Sequence, residues 1–119
     1  MQSLKKNKDF KNCYDNGRSW ANRELVLYVC GNGTADNRLG ISVSKKVGNS
    51  VIRHRIKRLI RENYRLHEDG FNSGLDLAVI ARMSAADADY DRIGRALLHL
   101  ARKAGIYENH GKTTADRTD

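Results

Sequence analysis

Three cationic side chains recur at every fourth residue near the middle of the chain: Arg53, Lys57 and Arg61. A helix places such residues on one face, where each pair of like charges costs about 0.2–0.5 kcal/mol. An ordinary solvated face avoids this cost by mixing signs, whereas a bound polyanion removes it. Arginine also presents a planar donor fork that binds phosphate oxygens bidentately. The spacing therefore predicts contact with phosphate groups.

These residues belong to a basic segment, residues 45–65, that holds nearly all of the excess positive charge. It contains eight Lys or Arg and one Glu, whereas the other 98 residues hold 14 basic and 13 acidic groups. Closely spaced cations favour nucleic acid, because each neutralised phosphate releases counterions. An anionic membrane is the competing polyanion. No apolar run approaches the roughly 20 residues of a membrane span and the N-terminus lacks a secretory apolar region, so we expect a cytoplasmic protein.

Aromatic side chains form a second candidate site. Phe10 and Tyr14 are four residues apart in a predicted helix, and Tyr28 lies in a predicted strand. Alternation in the neighbouring strand places Gly40, Ser42 and Ser44 on the same sheet face as Tyr28, which leaves room above the ring for a ligand. Core packing is the alternative role for these rings. Stacking on an aromatic ring contributes about 1–3 kcal/mol per base, and any of the four bases can stack. Because the small neighbours leave space for a base above the ring, they favour a platform for single-stranded nucleic acid.

Residues that could act as acid–base catalysts or metal ligands are scattered. Cys13 and Cys30 form no CxxC pair, and the histidines form no HExxH-like pair. Asp15, Glu62 and Asp76 are lone carboxylates, whereas a magnesium or two-metal site needs several converging oxygens. We therefore predict no catalytic residue, no metal site in the protein and reduced thiols. This pattern argues against a nuclease that acts alone.

Hydrophobic periodicity predicts six elements in the order α-β-β-α-β-α. They are a helix over residues 6–16, strands over 25–30 and 38–44, a helix from 50 to about 66, a strand over 75–81, and a final helix that Asp89 can cap. This order predicts an α+β sandwich with helices packed on a small sheet. The first two strands fit best as an antiparallel pair. The strand, basic helix and third strand form a βαβ unit, for which a right-handed crossover is the general rule.

The same patterns predict which residues face the core and where the domain ends. The core-facing strand positions are Leu25, Leu27, Val29, Leu39, Ile41 and Val43. The basic helix, capped by Asn49 or Ser50, turns inward Ile52, Ile56, Leu59, Ile60 and Asn63. The last helix buries Ile93, Leu97, Leu100, Ala101 and Ala104. We expect a single domain over residues 1–108 and a disordered polar tail over residues 109–119.

Two stretches of the chain are specific enough to compare with a known family. The first reads RLGISVSKKVGNSVIRHRIKRLIRE over residues 38–62. The second reads LKKNKDF over residues 4–10 and is followed by Gly17 and by ANR at residues 21–23. Together they resemble the bacterial ribonuclease P protein component, and the similarity extends from about Leu4 to Tyr107.

The resemblance implies a small subunit that joins a large catalytic RNA to remove the 5′ leader from precursor tRNA. The RNA performs the endonucleolytic hydrolysis with Mg²⁺ that it mainly holds itself, so the protein is a non-catalytic component of an enzyme. No protein partner and no membrane are implied. The family fold is a two-layer α-β sandwich of the ribosomal protein S5 domain 2-like type. Its βαβ crossover is left-handed, which replaces the right-handed expectation.

The resemblance also implies two binding surfaces. The basic helix and the loop before it contact the catalytic RNA, which assigns that role to Lys45, Lys46, Asn49, Arg53, His54, Arg55, Lys57, Arg58, Arg61 and Arg65. The cleft between the first helix and an open sheet face binds the leader, which assigns that role to Phe10, Tyr14, Tyr28, Ser42 and Ser44. The chain departs from the family pattern at one position, where His54 replaces the central asparagine of Arg-Asn-Arg.

Composition and spacing alone leave other RNA- and DNA-binding proteins open. A ribosomal-type structural RNA-binding protein without a catalytic assembly would show the same charge pattern, and only the family motif argues against it. A DNA-binding domain is less consistent with the sequence, because no helix-turn-helix spacing precedes the helix that contains Arg53.

Overall fold

The computed structural model describes residues 2–108, so the predicted disordered tail over residues 109–119 lies outside the described residues. The helices are α1 (Asn7–Asn16), α2 (Ser50–His67) and α3 (Tyr90–Lys103). The strands are β1 (Gln2–Ser3), β2 (Arg18–Ala21), β3 (Leu25–Gly31), β4 (Arg38–Ser42) and β5 (Leu75–Ala81). All six predicted elements are present, and the two additional strands are short and mostly exposed. Neither has the apolar alternation from which a strand is predicted.

The sheet has the strand order β1-β4-β5-β3-β2. β5 runs parallel to β4 and antiparallel to β3, so it lies between the two strands that were expected to pair. The predicted β3–β4 pair is therefore wrong, although the two strands do run in opposite directions. The physical reason is burial: β5 is a nearly continuous apolar run, which is stable only with neighbours on both edges and cover on both faces.

One face of the sheet packs against α2 and α3 and forms the main core. Leu25, Leu27 and Val29 of β3 are buried there, as alternation predicts. The apolar stripe of α2 is also confirmed, except that Ile52 is only partly buried. Tyr64 extends this stripe beyond the prediction. Its ring packs on Phe71 with centroids 4.8 Å apart.

Both predicted helix caps are present. Asn49 Oδ1 accepts a hydrogen bond from the Ile52 backbone N–H at 3.0 Å, and Asp89 Oδ1 accepts one from the Arg92 N–H at 2.8 Å. Such caps satisfy donors that a helix start leaves without a partner. The residues of α3 predicted to face the core are buried, with Ala104 only partly so because it follows the last helical residue. No helix within residues 2–108 has the length and hydropathy needed to cross a membrane.

The opposite face of the sheet, expected to be open, is partly covered by α1. Leu4, Cys13 and Ala78 form a small buried cluster there, against which Phe10 packs. Gly40 lies directly under Phe10, and a Cβ at this position would overlap the ring. Gly40 therefore makes room for the Phe10 ring, and only the sheet surface beyond this ring remains accessible to a ligand.

An ion-pair cluster joins α1 to the sheet. Asp76 of β5 is 2% exposed and receives Arg38 Nε at 2.8 Å on one oxygen and Arg38 Nη2 at 2.6 Å on the other. Arg38 Nη1 also lies 3.4 Å from a carboxylate oxygen of Asp9 in α1. Asn32 donates a further hydrogen bond to Asp76 at 3.1 Å. A buried carboxylate is tolerated only when it is paired and hydrogen-bonded in this way.

Candidate nucleic-acid interface

The basic segment forms the loop after β4 and most of α2. Lys45 and Lys46 are exposed in the loop, and the helix begins directly after the Asn49 cap. The exposed cations of the helix surface are Arg58, Arg61 and Arg65, with the exposed imidazole of His54 beside them. The helix N-terminus adds backbone donors and a favourable dipole for an anion near Asn49. The structure thus brings these predicted residues together on one cationic surface.

Internal pairing on this surface is weak. Arg58 Nε lies 3.9 Å from Glu62, and both side chains are largely exposed. Such pairs stabilise a protein by about 0–1 kcal/mol, so Arg58 is readily released to another anion. Arg53 donates to the backbone carbonyl of Gly48 at 2.9 Å and is half-buried at the helix start.

Arg55 is separated from the other predicted phosphate-binding arginines. Its Nη1 donates to the carbonyl of Ala88 at 2.8 Å and its Nη2 to the carbonyl of Ala86 at 2.7 Å. Arg55 lies about 160° around the helix axis from Arg53, so its side chain extends toward the segment before α3. The two hydrogen bonds hold the guanidinium there. Its intramolecular bonds link α2 to the start of α3, and its contact with RNA remains a prediction.

Three aromatic rings cluster between α1 and the sheet. The ring centroids of Phe10 and Tyr14 are 6.1 Å apart, and Tyr14 meets the edge of Tyr28 at 4.9 Å. Tyr14 is 38% exposed, so it is the ring most available to a ligand. Burial, followed by the neighbouring Tyr28, raises the pKa of the Tyr14 hydroxyl, which keeps it neutral and able to donate a hydrogen bond at physiological pH.

A groove of about 390 Å³ lies between α1, β4 and α2, and we call it the α1–α2 groove. It is lined by Asn7, Phe10, Lys11, Tyr14, Ile41, Ser42, Val43 and Lys57. The predicted residues Phe10, Tyr14 and Ser42 thus meet in one place. Tyr28 supports Tyr14 from the sheet without lining the groove, and Ser44 is exposed beyond the end of β4.

Lys57 connects the two predicted surfaces. The sequence assigns it to the basic helix, but the structure places it in the wall of the α1–α2 groove beside the aromatic rings. Asn7 and Lys11 also line the groove and were not predicted. The run of basic residues Lys5, Lys6, Lys8 and Lys11 was a signal for Lys11, whereas nothing in the sequence distinguishes Asn7 from other polar residues.

Cys13 lies near the aromatic rings, and its thiol has little nucleophilic character. Burial, followed by a hydrogen bond with Cys30, raises the pKa of the Cys13 thiol to about 12. A thiol attacks as its thiolate, and this form is negligible at neutral pH for Cys13. Both residues are free thiols, as the sequence predicts. Within residues 2–108, no three His, Cys, Asp or Glu side chains are grouped as metal ligands would be.

Comparison with known proteins identifies the family. The ribonuclease P family model matches residues 1–105 of the chain. The ribonuclease P protein component of Lachnoclostridium phytofermentans is 57% identical over 101 residues, which cover 85% of this chain and 87% of that protein. The chain belongs to the ribonuclease P protein family. The resemblance found in the sequence is thereby confirmed.

Solved ribonuclease P proteins share the fold. That of Staphylococcus aureus superposes with a TM-score of 0.84 at 43% identity, covering 91% of this chain and 99% of the other. That of Thermotoga maritima gives a TM-score of 0.79 at 29% identity, covering 87% and 97%. The predicted α+β sandwich is therefore the ribonuclease P protein fold.

The contact between Gly40 and Phe10 can be tested by filling it. Gly40→Ala is expected to lower the free energy of unfolding by about 1 kcal/mol, because the added methyl group must displace the Phe10 ring. Chemical denaturation measures this change. Gly31→Ala is the matched control, since a Cβ at Gly31 meets nothing within 4 Å. Equal effects of the two substitutions would contradict the proposed packing.

Proposed function

We propose that this chain is the protein subunit of ribonuclease P and binds two RNA partners through adjoining surfaces. The cationic surface of α2 and the loop before it bind the catalytic RNA. The α1–α2 groove binds the 5′ leader of precursor tRNA. The observation that carries the proposal is the meeting of the aromatic rings with Lys57 of α2 in one groove, because this arrangement combines base stacking with phosphate binding.

The groove suits a strand whose sequence varies. Stacking on Tyr14 and Phe10 requires only a π-face, which every base has, and contributes about 1–3 kcal/mol per base. Lys57 and Lys11 on opposite walls can then contact the phosphates between stacked bases. Lys11 is paired with Asp15 at 2.5 Å, but both side chains are mostly exposed, so the pair exchanges easily for a phosphate.

The protein's role in the reaction follows from these contacts. We propose that it raises the affinity of the ribonucleoprotein for leader-bearing substrate and positions the cleavage site. Hydrolysis, which yields the mature tRNA 5′ end, belongs to the catalytic RNA and to Mg²⁺ held mainly by that RNA. We infer that no further protein is required, and that the complex works in the cytoplasm, where tRNA precursors are transcribed.

Reconstitution tests this function directly. The protein is added to the catalytic RNA and a radiolabelled precursor tRNA at a Mg²⁺ concentration too low for the RNA alone. Cleavage at the mature 5′ end is expected when the protein and the catalytic RNA are both present, and no cleavage is expected when either is alone. RNA binding without restored cleavage would instead support a structural RNA-binding protein of the ribosomal type. Cleavage by the protein alone would contradict the non-catalytic role.

The cationic surface of α2 makes a separate prediction about salt. Arg58→Gln with Arg61→Gln is expected to weaken binding of the catalytic RNA and to reduce the slope of log K against log salt by about 0.7–0.9 per removed cation. Filter binding across a salt series measures the slope. Replacing Lys103 and Arg18, two exposed cations outside this surface, by glutamine is the charge-matched control. An unchanged slope in the α2 variant would reject the assignment.

A further inference from the structure

A second and larger groove lies on the other flank of α2. It has a volume of about 970 Å³ and is formed by the C-terminal half of α2, by α3 and by residues 22–24. Leu66 lines it, nine residues after Lys57, which is about half a turn around the helix axis. This α2–α3 groove is therefore separated from the α1–α2 groove by the full width of α2.

The α2–α3 groove carries unpaired positive charge. Its exposed arginines are Arg23, Arg95 and Arg102, and within residues 2–108 none of them forms an ion pair. Arg102 instead lies over the Tyr107 ring, 5.3 Å from its centroid. The spacing of Arg95 and Arg102 by seven residues places both on one face of α3, above the groove.

The carboxylates of this groove are mostly neutralised. Glu24 is held by Arg92, whose Nε lies 2.9 Å from its Oε2, and the same guanidinium reaches Asp87 at 3.3 Å. Asp91 remains as the one exposed carboxylate among the lining residues. Among the described residues, the free charges of the groove are therefore three cations against Asp91 and the one carboxylate charge that Arg92 leaves uncompensated, an excess of positive charge that favours an anionic ligand.

The floor of the groove is rigid. Gly94 of α3 contacts Asn63 of α2 so closely that a Cβ on the glycine would overlap the amide. The Asn63 Nδ2 donates to the carbonyls of Leu59 at 2.9 Å and Tyr90 at 3.1 Å, which ties the start of α3 to α2. The groove is thus held in shape by buried hydrogen bonds, and a ligand would not need to form it.

One wall adds an apolar surface to this cationic groove. Leu66 is 68% exposed, and it lies in the last turn of α2 between the polar residues Arg65 and His67. Alternating charged and apolar contacts match a single strand of nucleic acid, in which phosphates and bases alternate, and arginine planes themselves stack on bases. An acidic peptide would match the charge, but its carboxylate side chains present no planar base to the arginines.

We propose that the α2–α3 groove binds a single-stranded RNA segment, with Arg95 and Arg102 on its phosphates and Leu66 against a base. The protein would then hold RNA on both flanks of α2 at once. This site is distinct from the leader site, since no residue within 2–108 lines both grooves.

Photocrosslinking distinguishes the two sites. The full-length protein is irradiated with an unstructured oligoribonucleotide that contains 4-thiouridine, and crosslinked peptides are located by mass spectrometry. Crosslinks to α3 residues 91–102 are expected in addition to crosslinks to α1 and β4. Crosslinks to α1, β4 and the first half of α2 alone would overturn the new site and leave the proposed leader groove intact.

Charge-matched variants then test specificity. Arg95→Gln with Arg102→Gln is expected to lower the affinity measured from α3 crosslinking at least fivefold, while α1 crosslinking changes less than twofold. Arg18→Gln with Lys103→Gln removes the same charge outside the groove and should change α3 crosslinking less than twofold. Equal losses in both variants, or equal displacement of the RNA by a polyglutamate of matched charge, would show a nonspecific anion surface and overturn the proposal. Thermal melting confirms that both variants are folded.

Discussion

Tyr14→Ala is expected to reduce affinity for leader-bearing precursor tRNA about thirtyfold and to leave affinity for mature tRNA within twofold. The loss corresponds to about 2 kcal/mol, the middle of the range for one stacked base. Tyr14 is the most exposed of the three aromatic rings, and Tyr28 packs against it from the sheet. Its removal takes away the platform without opening the core.

Equilibrium binding to the reconstituted complex, with precursor and mature tRNA measured side by side, checks this result. Tyr14→Phe is the matched control, because it keeps the ring and removes only the hydroxyl; it should retain affinity within about threefold. Equal losses of precursor and mature tRNA in Tyr14→Ala would mean that the residue acts on assembly rather than on the leader.

Arg38→Met is expected to lower the free energy of unfolding by about 3 kcal/mol. The substitution leaves the buried Asp76 carboxylate with only its hydrogen bond from Asn32, and loss of one partner of a buried pair costs about 3–5 kcal/mol. Water reaches one side of Arg38, which places the expected effect at the lower end of this range. Chemical denaturation monitored by circular dichroism gives the value.

A double-mutant cycle isolates the pair. Asp76→Asn removes the buried charge, so combining it with Arg38→Met should cost at least 1 kcal/mol less than the sum of the two single effects. Lys11→Met breaks an exposed ion pair and serves as the control, with an expected effect below about 0.5 kcal/mol. Strict additivity at Arg38 and Asp76 would contradict a buried, coupled pair.

Local patterns were sufficient to predict most of the elements. Apolar spacing predicted the inward faces of β3, α2 and α3, and side-chain chemistry predicted the caps at Asn49 and Asp89. The order of strands was not predictable in this way. Whether β3 pairs with β4 or with β5 depends on where a crossover of some thirty residues returns to the sheet, and no short window of sequence contains that information.

The candidate site shows the same limit at the level of single residues. Arg53, Arg55 and Lys57 look equivalent in sequence, yet Lys57 lines the α1–α2 groove and Arg55 bonds to the segment before α3. The angular position of each residue around the helix axis is predictable from the sequence. The residues that it contacts are not, because they depend on which side of α2 the other helices occupy. Gly40 was interpreted as open space for a ligand, whereas in the structure it admits a ring from the protein itself.

The central position of β5 has a consequence for how the chain is made. β3 ends at Gly31 and β4 ends at Ser42, whereas β5, the strand that lies between them, begins only at Leu75, so neither strand has this neighbour available when it leaves the ribosome. At about 5–20 residues per second, synthesis of the missing stretch takes a few seconds, during which β3 and β4 remain without the strand that joins them. The β1–β4 and β3–β2 parts of the sheet can therefore join only after β5 has been synthesised, so the complete sheet forms late in translation or after it.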